Sequence, residues 1–464
     1  MVGQIMGKGQ KGKTKKKKKH NNVSGRKAKT SVDRKQSETI GKIDYLAVLP
    51  GLLMCLVIAV VLILDISMPE MSDKQYQTFQ GLFRWLNLIA VISGLIVLAS
   101  RSTLFFKEKK QAPGHDRKLL LHPYTAFAAF AVCILISTCI NGFTDEALKG
   151  IPYRNIGIIL MMTMLLVYMG VTSSIESDPL RKIILVAYLA ISVAVALAAL
   201  CDRYIKRIPA FHAKKELSAI FFNGNHYAYF LAMAILIGIG YYIFGNSRQA
   251  AAGASAAAVN MLVLVLNHTL GCILAVGVVM VIVSFAAVKK DRRYSRKIIM
   301  LWAFSAAAAA AVLVISPDIR REFAVFGRDI AGILSNTAKG SAGHNRLKMW
   351  RLTSKYIAER PWFGFGCEGI SMEMYAKTAI SNPHNEILTY AAYYGIPAAA
   401  FYTFGVLAVL VRRLLSYDSD MTGKIACMAA AGYFIASITG VAMFYTTPFF
   451  FVFLGISIRS LNIK

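Results

Sequence analysis

The chain has 464 residues, of which 56% are hydrophobic and 17% are charged. Its mean hydropathy is +0.51. Soluble globular domains average about 45–50% apolar and about 25% charged residues, so this composition excludes a soluble enzyme and a disordered chain. Its 53 Lys and Arg against 24 Asp and Glu give a formal net charge of +29. The composition predicts a basic, multi-pass membrane protein.

The first 42 residues are strongly basic. They hold 14 Lys and Arg against Asp33 and Glu38, and they show no apolar periodicity. Such segments do not fold on their own, so we expect residues 1–42 to be a disordered cytoplasmic tail. The tail either fixes the orientation of the chain, which we favour, or binds anionic lipids at about 1 kcal/mol per basic residue. Nucleic-acid binding is disfavoured, because no aromatic residues interleave the lysines.

From residue 43 onwards, apolar stretches recur at a length suited to membrane spans, about 20 residues each. We therefore predict an all-α, polytopic membrane domain over residues 43–464 with about twelve transmembrane helices. The expected spans are Ile43–Leu64, Leu82–Ser100, Leu119–Ile140, Tyr153–Ser173, Ile183–Cys201, Ile220–Phe244, Ala252–Leu266, Thr269–Val288, Ile298–Ser316, Glu386–Val411, Ile425–Met443 and Thr446–Ile458.

Short basic connections predict the orientation in the cell membrane. The segments 101–110 and 289–297 are rich in Lys and Arg, and such loops stay on the cytoplasmic side. Both termini are therefore expected in the cytoplasm. The inner connection with Asp418, Ser419 and Asp420 is expected to be simply solvated.

Two segments on the predicted outer face are also basic. Asp202–Ala219 has five Lys and Arg, including Arg203 and Arg207, against two acids, and Pro317–Asn385 has ten against six. The basic residues either have no functional consequence, because long loops cross the membrane regardless of charge, or they bind an anionic ligand. Within Pro317–Asn385, an extracytoplasmic loop, the sequence predicts helices over Ile319–Leu334 and Arg346–Glu359.

His384 is the strongest candidate for a catalytic group. Asn382 is a favourable N-cap and Pro383 a favourable first helical residue, which predicts His384 in the first turn of the tenth span. The positive end of a helix disfavours imidazolium, so His384 would be neutral and able to accept a proton. The alternative is a histidine that only caps a helix end.

Other polar residues gather at the outer ends of the spans. Arg346 and Trp350, spaced i, i+4, share a helix face, and a guanidinium suits phosphate; an interfacial anchor helix would use the same residues. Arg154 at the start of the fourth span either faces a ligand or snorkels outward. The segment 223–226, which includes Asn223 and Asn225, is a polar cluster. The outer face has no metal motif, so neither a metal nor a cofactor is expected.

Two of these segments carry a recognisable pattern. Arg346-Leu-Lys-Met-Trp350 precedes Glu359-Arg-Pro-Trp-Phe-Gly-Phe-Gly366, and Asn382-Pro-His-Asn-Glu-Ile-Leu388 precedes Gly395. In this order, around one long outer loop, they resemble the O-antigen ligase and O-antigen polymerase superfamily over about residues 120–460. The chain departs from the pattern at Tyr393-Tyr394, where an acidic residue often precedes the glycine.

The resemblance implies a metal-independent membrane glycosyltransferase of surface polysaccharide biosynthesis. Its donor would be an undecaprenyl-pyrophosphate-linked glycan and its acceptor a glycan or lipid-linked glycan, with inversion if transfer is a single step. Arg346 would bind the donor pyrophosphate and His384 would act at the acceptor. We expect further donor contacts from Arg154, Arg203 and Arg207, and support from Trp350, Asn385, Asn223 and Asn225.

Ligase and polymerase differ only in the acceptor, and both stay open at this point. The alternative outside enzymes is a flippase for lipid-linked glycans or another multi-span transporter. A transporter of this size predicts charged groups within the spans and twofold sequence symmetry, and the sequence shows neither.

Overall fold

The protein is predominantly helical in the part that its computed structural model describes. That part comprises residue 92 and residues 123–151, 154–174, 178–206, 208, 217–221, 223–335, 337, 342–343, 345–416 and 420–458. Within these residues the chain forms α-helices and one short 3-10 helix, and no strand. The predicted all-α class is confirmed. The basic segment 1–42 lies outside the described residues, as do the first two expected spans except for Ile92.

In chain order the helices are α1 (Pro123–Asn141), α2 (Asp145–Lys149), α3 (Ile158–Ser174), α4 (Asp178–Tyr204), α5 (Gly224–Phe244), α6 (Ser247–Leu266), α7 (Leu270–Lys290), the 3-10 helix (Arg292–Tyr294), α8 (Ser295–Ile315), α9 (Pro317–Leu334), α10 (Arg346–Glu359), α11 (Ser371–Thr378), α12 (Glu386–Tyr394), α13 (Ile396–Leu415), α14 (Met421–Ser437) and α15 (Thr447–Ser457).

Among the described residues, seven helices are long and apolar enough to cross a membrane: α1, α4, α5, α6, α7, α8 and α13. The apolar helices α3 and α15 are shorter. Helices suit hydrocarbon because they satisfy their own backbone hydrogen bonds. The protein is therefore a multi-pass membrane protein. The expected total of about twelve spans and the cytoplasmic location of both termini stay predictions.

Helix α5 lies at the centre of the bundle, since 89% of its spanning window is buried. Gly238 of α5 faces Gly253 of α6, and a Cβ added at Gly238 would lie 2.6 Å from the Gly253 carbonyl oxygen. Small residues at a crossing allow two helix backbones to approach. In contrast, only 6% of the α8 window is buried, so α8 lies at the edge of the bundle.

The prediction of one continuous span over Glu386–Val411 is wrong. The chain breaks at Gly395, which has φ of 93°, and α12 and α13 are separate helices. A left-handed Gly ends α12, and Pro397 at the start of α13 has no N–H with which to continue the previous helix. The amide of Ile396 instead donates to the Pro361 carbonyl oxygen of the long loop at 2.7 Å.

The expectation that Asp420 is simply solvated is also wrong. Asp420 is buried and accepts a hydrogen bond from Arg181 Nη1 at 2.9 Å. The Nη2 atom of Arg413 lies 2.7 Å from the same carboxylate. Asp420 also caps α14, because its side chain accepts a hydrogen bond from the Gly423 amide at 3.0 Å. This cluster joins the start of α4, the end of α13 and the start of α14.

The long loop contains the two helices that the sequence predicted. Helix α10 has the predicted bounds, and α9 begins two residues earlier than expected, at Pro317. Helix α11 was not predicted. The chain between α10 and α11 turns at Gly364 and Gly366, both with positive φ. This turn places the loop against the carboxyl end of α12, because Phe365 N donates to Ala392 O and Gly366 N donates to Tyr393 O.

Candidate functional site

His384 lies in a tight turn before α12, and not in the first turn of a helix as predicted. Its φ is 49°, and its amide donates to Asn382 Oδ1 at 2.9 Å. Asn385 is the actual N-cap, since its Oδ1 accepts from Leu388 N at 2.9 Å. Asn382 and Asn385 are equally suitable caps, and the left-handed backbone at His384 excludes a helix that begins before it.

Trp350 of α10 holds this turn in place. Its indole Nε1 donates to the Pro383 carbonyl oxygen at 2.9 Å, one residue before His384. Helices α10 and α12 also pack against each other. The first motif of the long loop therefore positions the second through a direct hydrogen bond.

Arg346 is the first residue of α10 and faces the same region. Its Nε donates to the Thr439 carbonyl oxygen and its Nη1 to the Gly343 carbonyl oxygen, both at 3.1 Å. Gly343 is held in turn, because its amide donates to Asp329 Oδ2 of α9 at 2.7 Å. Burial lowers the pKa of the Arg346 guanidinium, although an arginine stays cationic in proteins.

Arg154 is buried beside Glu368 rather than directed outward. Its Nη2 lies 2.6 Å from Glu368 Oε2, and the side chains are only 13% and 4% exposed. Tyr393 OH also donates to Glu368 Oε2, at 2.9 Å. Arg154 therefore connects the turn before α3 to the long loop, so lipid-directed snorkelling does not describe its side chain.

The electrostatic environment of His384 brings these groups into one site. Burial, together with the positive charges of Arg346 and Arg154, lowers the pKa of His384 to about 4. The positive charges of both arginines therefore act on the imidazole and disfavour its protonated form. His384 is therefore neutral at physiological pH, but the main cause is burial and not the helix end that the sequence suggested.

His226 is a second imidazole in this region, and its sequence context indicated no role of its own. It lies in the first turn of α5, is buried, and interacts electrostatically with His384 and Arg154. Its Nδ1 lies 3.1 Å from Tyr445 OH. This hydrogen bond fixes the orientation of the ring. Residues 223–226 lie where a helix begins, and this position was the sequence signal that could have identified His226.

The two asparagines of that segment have local roles. Asn223 caps α5, since its Oδ1 accepts from Asn225 N at 2.8 Å. Asn225 Oδ1 accepts from Thr269 Oγ1 at 3.2 Å, at the start of α7. They therefore hold the entrance of α5, and with it His226, against α7.

The connection between α14 and α15, residues 438–446, borders the site. Thr439 contacts Arg346, and Tyr445 contacts His226. Val441 and Ala442 line a cavity of about 30 Å³; its other lining residues are Arg154, Ile156, Glu368, Asn382, Glu386, Thr389, Tyr390, Tyr393 and Tyr394. The sequence did not reveal this role, because residues 438–443 and 446 were assigned to two expected spans and residues 444–445 to the short connection between them.

Glu386, two residues after His384, is held inside the bundle. It is 1% exposed and accepts hydrogen bonds from Tyr433 OH at 2.6 Å and Tyr402 OH at 3.0 Å. Two phenols that donate to one carboxyl group fix its position. Glu386 borders the cavity but is committed to these contacts.

The two remaining predicted residues are Arg203 and Arg207. Arg203 is exposed near the end of α4, and Arg207 is outside the described residues. Their contribution to donor binding stays a prediction. Among the described residues, no group of three or more His, Cys, Asp or Glu side chains is arranged to hold a metal ion.

Comparison with known proteins agrees with the motifs of the long loop. Residues 254–403 match the family model described as O-antigen ligase, and a search of curated proteins gave no match. The matched segment runs from α6 to the start of α13 and includes Arg346, Trp350 and His384. Residues 254–403 are thus similar to the O-antigen ligase family, as the two loop motifs indicated.

Proposed function

We propose that this protein transfers an undecaprenyl-pyrophosphate-linked glycan to an acceptor hydroxyl on the extracytoplasmic face of the cell membrane. The observation that best supports this function is the convergence of two arginines and a neutral histidine around the turn before α12. Arg346 supplies positive charge and His384 a proton acceptor in one place, and Arg154 lies nearby, paired with Glu368. A lipid-linked donor requires that combination beside the bilayer.

The donor pyrophosphate binds at Arg346. A guanidinium offers paired N–H donors that match phosphate oxygens, and Arg346 is partly buried, which strengthens its charge interactions. As the bond between the anomeric carbon and the phosphate oxygen breaks, negative charge grows on the leaving lipid pyrophosphate. Arg346 stabilises that charge without a metal ion.

His384 accepts the proton of the acceptor hydroxyl as its oxygen forms the new bond to the anomeric carbon. General-base catalysis of this kind contributes about 10²–10⁴-fold. A single displacement inverts the configuration of the anomeric carbon. The bound pyrophosphate also adds negative charge near His384, which raises the pKa of the imidazole and makes it a stronger base.

Arg154 has a second place in this scheme. Because it is paired with Glu368, it brings little net charge to a donor, and we assign it to positioning the loop around His384. Arg203 and Arg207 would attract the anionic donor at longer range.

The test is a reconstitution with defined substrates. The protein in phospholipid vesicles is supplied with a lipid-pyrophosphate-linked oligosaccharide, and the products are identified by mass spectrometry. A ligase requires a separate acceptor, whereas a polymerase forms a ladder from the donor alone. Free lipid pyrophosphate is expected in both cases. A flippase would move the donor between leaflets and leave its mass unchanged, and that result would refute the proposal.

Two variants connect the activity to the site. Arg346→Lys keeps the charge but loses the paired donors, so donor turnover should fall by at least about tenfold. The donor turnover of His384→Gln should fall by about 10²-fold or more. Arg351→Gln serves as the matched control, because Arg351 is exposed on α10. Full activity of both site variants would contradict the assignment.

A further inference from the structure

Helix α9 carries an apolar stripe that the described part of the protein leaves largely uncovered. The stripe residues are spaced four and three apart, as a single helix face requires; they are Ile319, Phe323, Phe326, Ile330 and Ile333. Within the described residues only Ile319 is buried. Phe323 is 37% exposed, Ile330 40% and Ile333 49%. A soluble helix that exposes such a stripe to water would be unfavourable.

The stripe continues the lipid-facing surface of α8. Only Ser316 separates the two helices, and it caps α9 through its contact with the Ile319 amide at 3.4 Å. Val314 and Ile315, at the end of α8, are 74% and 78% exposed. Because α8 is a candidate span at the edge of the bundle, α9 begins where that span leaves the hydrocarbon.

One edge of α9 contacts the protein through a polar residue. Asp329 accepts a hydrogen bond from Gly343 N at 2.7 Å, and with 3.6 residues per turn Asp329 lies about 100° around the helix from Ile330. This edge therefore contacts the loop that leads into α10, whereas Phe323 and Ile330 stay exposed.

The charges on α9 indicate which surface it fits. The helix carries three arginines and three acids outside the stripe positions, and their charges cancel; they are Arg320, Arg321, Arg328, Asp318, Glu322 and Asp329. Without net charge, binding depends on the apolar stripe and not on anionic headgroups. An interfacial helix of this type buries its apolar side about 5–10 Å into the boundary between headgroups and acyl chains.

We propose that α9 lies in the plane of the membrane, with its stripe in the headgroup region of the leaflet at which α8 ends. An 18-residue helix rises 1.5 Å per residue and would cover about 27 Å of this surface. The link from Asp329 through Gly343 to Arg346 then sets Arg346 at a fixed depth relative to the lipid headgroups. The inference does not depend on the proposed reaction.

The experiment uses the full-length protein in phosphatidylcholine nanodiscs. A fluorescent amino acid is introduced by codon suppression at one position at a time, which leaves the native cysteines untouched. Phe323 and Ile330 report on the stripe, and Ala324 and Arg328 are controls on the other side of the same turns. Quenching is measured with a lipid that carries a nitroxide near its headgroup and with aqueous iodide.

We expect the nitroxide lipid to quench the stripe positions at least about twofold more than the controls, and iodide to show the opposite order. Phe323→Asp should reduce lipid quenching at Ile330, whereas Ala324→Asp should not; circular dichroism and size-exclusion profiles confirm that both variants fold. Equal quenching at all four positions would overturn the proposal. So would protection of the stripe from both quenchers, because protein would then cover it.

Discussion

The acid limit of activity is the most direct test of the role given to His384. A histidine with the ordinary pKa of about 6.5 is about 90% protonated at pH 5.5, which would leave about a tenth of the activity. Burial and the two neighbouring arginines lower the pKa of His384 to about 4. At pH 5.5 only about 3% of the imidazole is then protonated. We therefore expect kcat/KM at pH 5.5 to stay close to its value at neutral pH.

The acid-side decreases of kcat/KM and of kcat should occur at different pH values. The dependence of kcat/KM on pH reports the free enzyme, and that of kcat reports the enzyme–substrate complex. Bound pyrophosphate places negative charge near His384 and favours imidazolium. The acid limb of kcat should therefore lie at a higher pH than the limb of kcat/KM, and the difference measures the contact between donor and histidine.

The assay follows donor turnover in vesicles from about pH 3 to about pH 8, a range that brackets both pKa values. Arg154→Gln removes a positive charge and leaves the Glu368 carboxylate, so the kcat/KM limb should move to higher pH. Arg351→Gln, on the exposed side of α10, should leave it in place. The reasoning would be refuted if kcat/KM of the wild type fell on the acid side near pH 6.5. It would also be refuted if His384→Gln had the same acid limb of kcat/KM as the wild type.

Three further predictions concern Trp350, Asp420 and the requirement for a metal ion. Trp350→Phe loses the hydrogen bond to Pro383 O, worth about 0.5–1.5 kcal/mol, so kcat should fall by about 2–10-fold; Trp302→Phe, which loses a comparable bond to Ser284 Oγ, should leave kcat unchanged. Asp420→Asn keeps the helix cap but removes the carboxylate that two buried arginines contact, so it should destabilise the protein by about 3–5 kcal/mol, read as a lower thermal midpoint in detergent. The exposed Asp318→Asn should change that midpoint little. Donor turnover should survive EDTA, and loss of activity that added divalent metal restores would contradict a metal-independent reaction.

The sequence was sufficient for features that depend on local signals. The bounds of α10 could be predicted because Pro361 limits the helix and its charged and apolar residues alternate at helical spacing. The long helices could be predicted because a run of about 20 apolar residues has the length of a membrane span. The His384 turn was less accessible, since Asn382 and Asn385 are both good caps and only the surrounding contacts, above all Trp350 on Pro383, select the second.

Features that depend on distant partners could not be predicted. Asp420 reads as an inner-loop acid until Arg181, 239 residues away in the chain, is placed beside it. Residues 438–443 read as the end of one apolar span and residues 444–445 as a short connection to the next, although Thr439 contacts Arg346 and Tyr445 contacts His226. In both cases the sequence around the residue is ambiguous, and the tertiary fold decides.

The two motifs of the long loop depend on each other through the backbone. The turn at Gly364 and Gly366 lies against the last carbonyl groups of α12, and a Cβ at Gly364 would be only 2.5 Å from Tyr393 O. Only a glycine allows this approach, and the Phe365 amide then donates to Ala392 O at 2.9 Å. The turn thus satisfies carbonyl groups that the end of a helix leaves without intrahelical partners. At the opposite end of the same short helix lies His384, fixed by Trp350. A glycine-rich turn that contacts no reacting group therefore determines, through α12, where the proposed base is held.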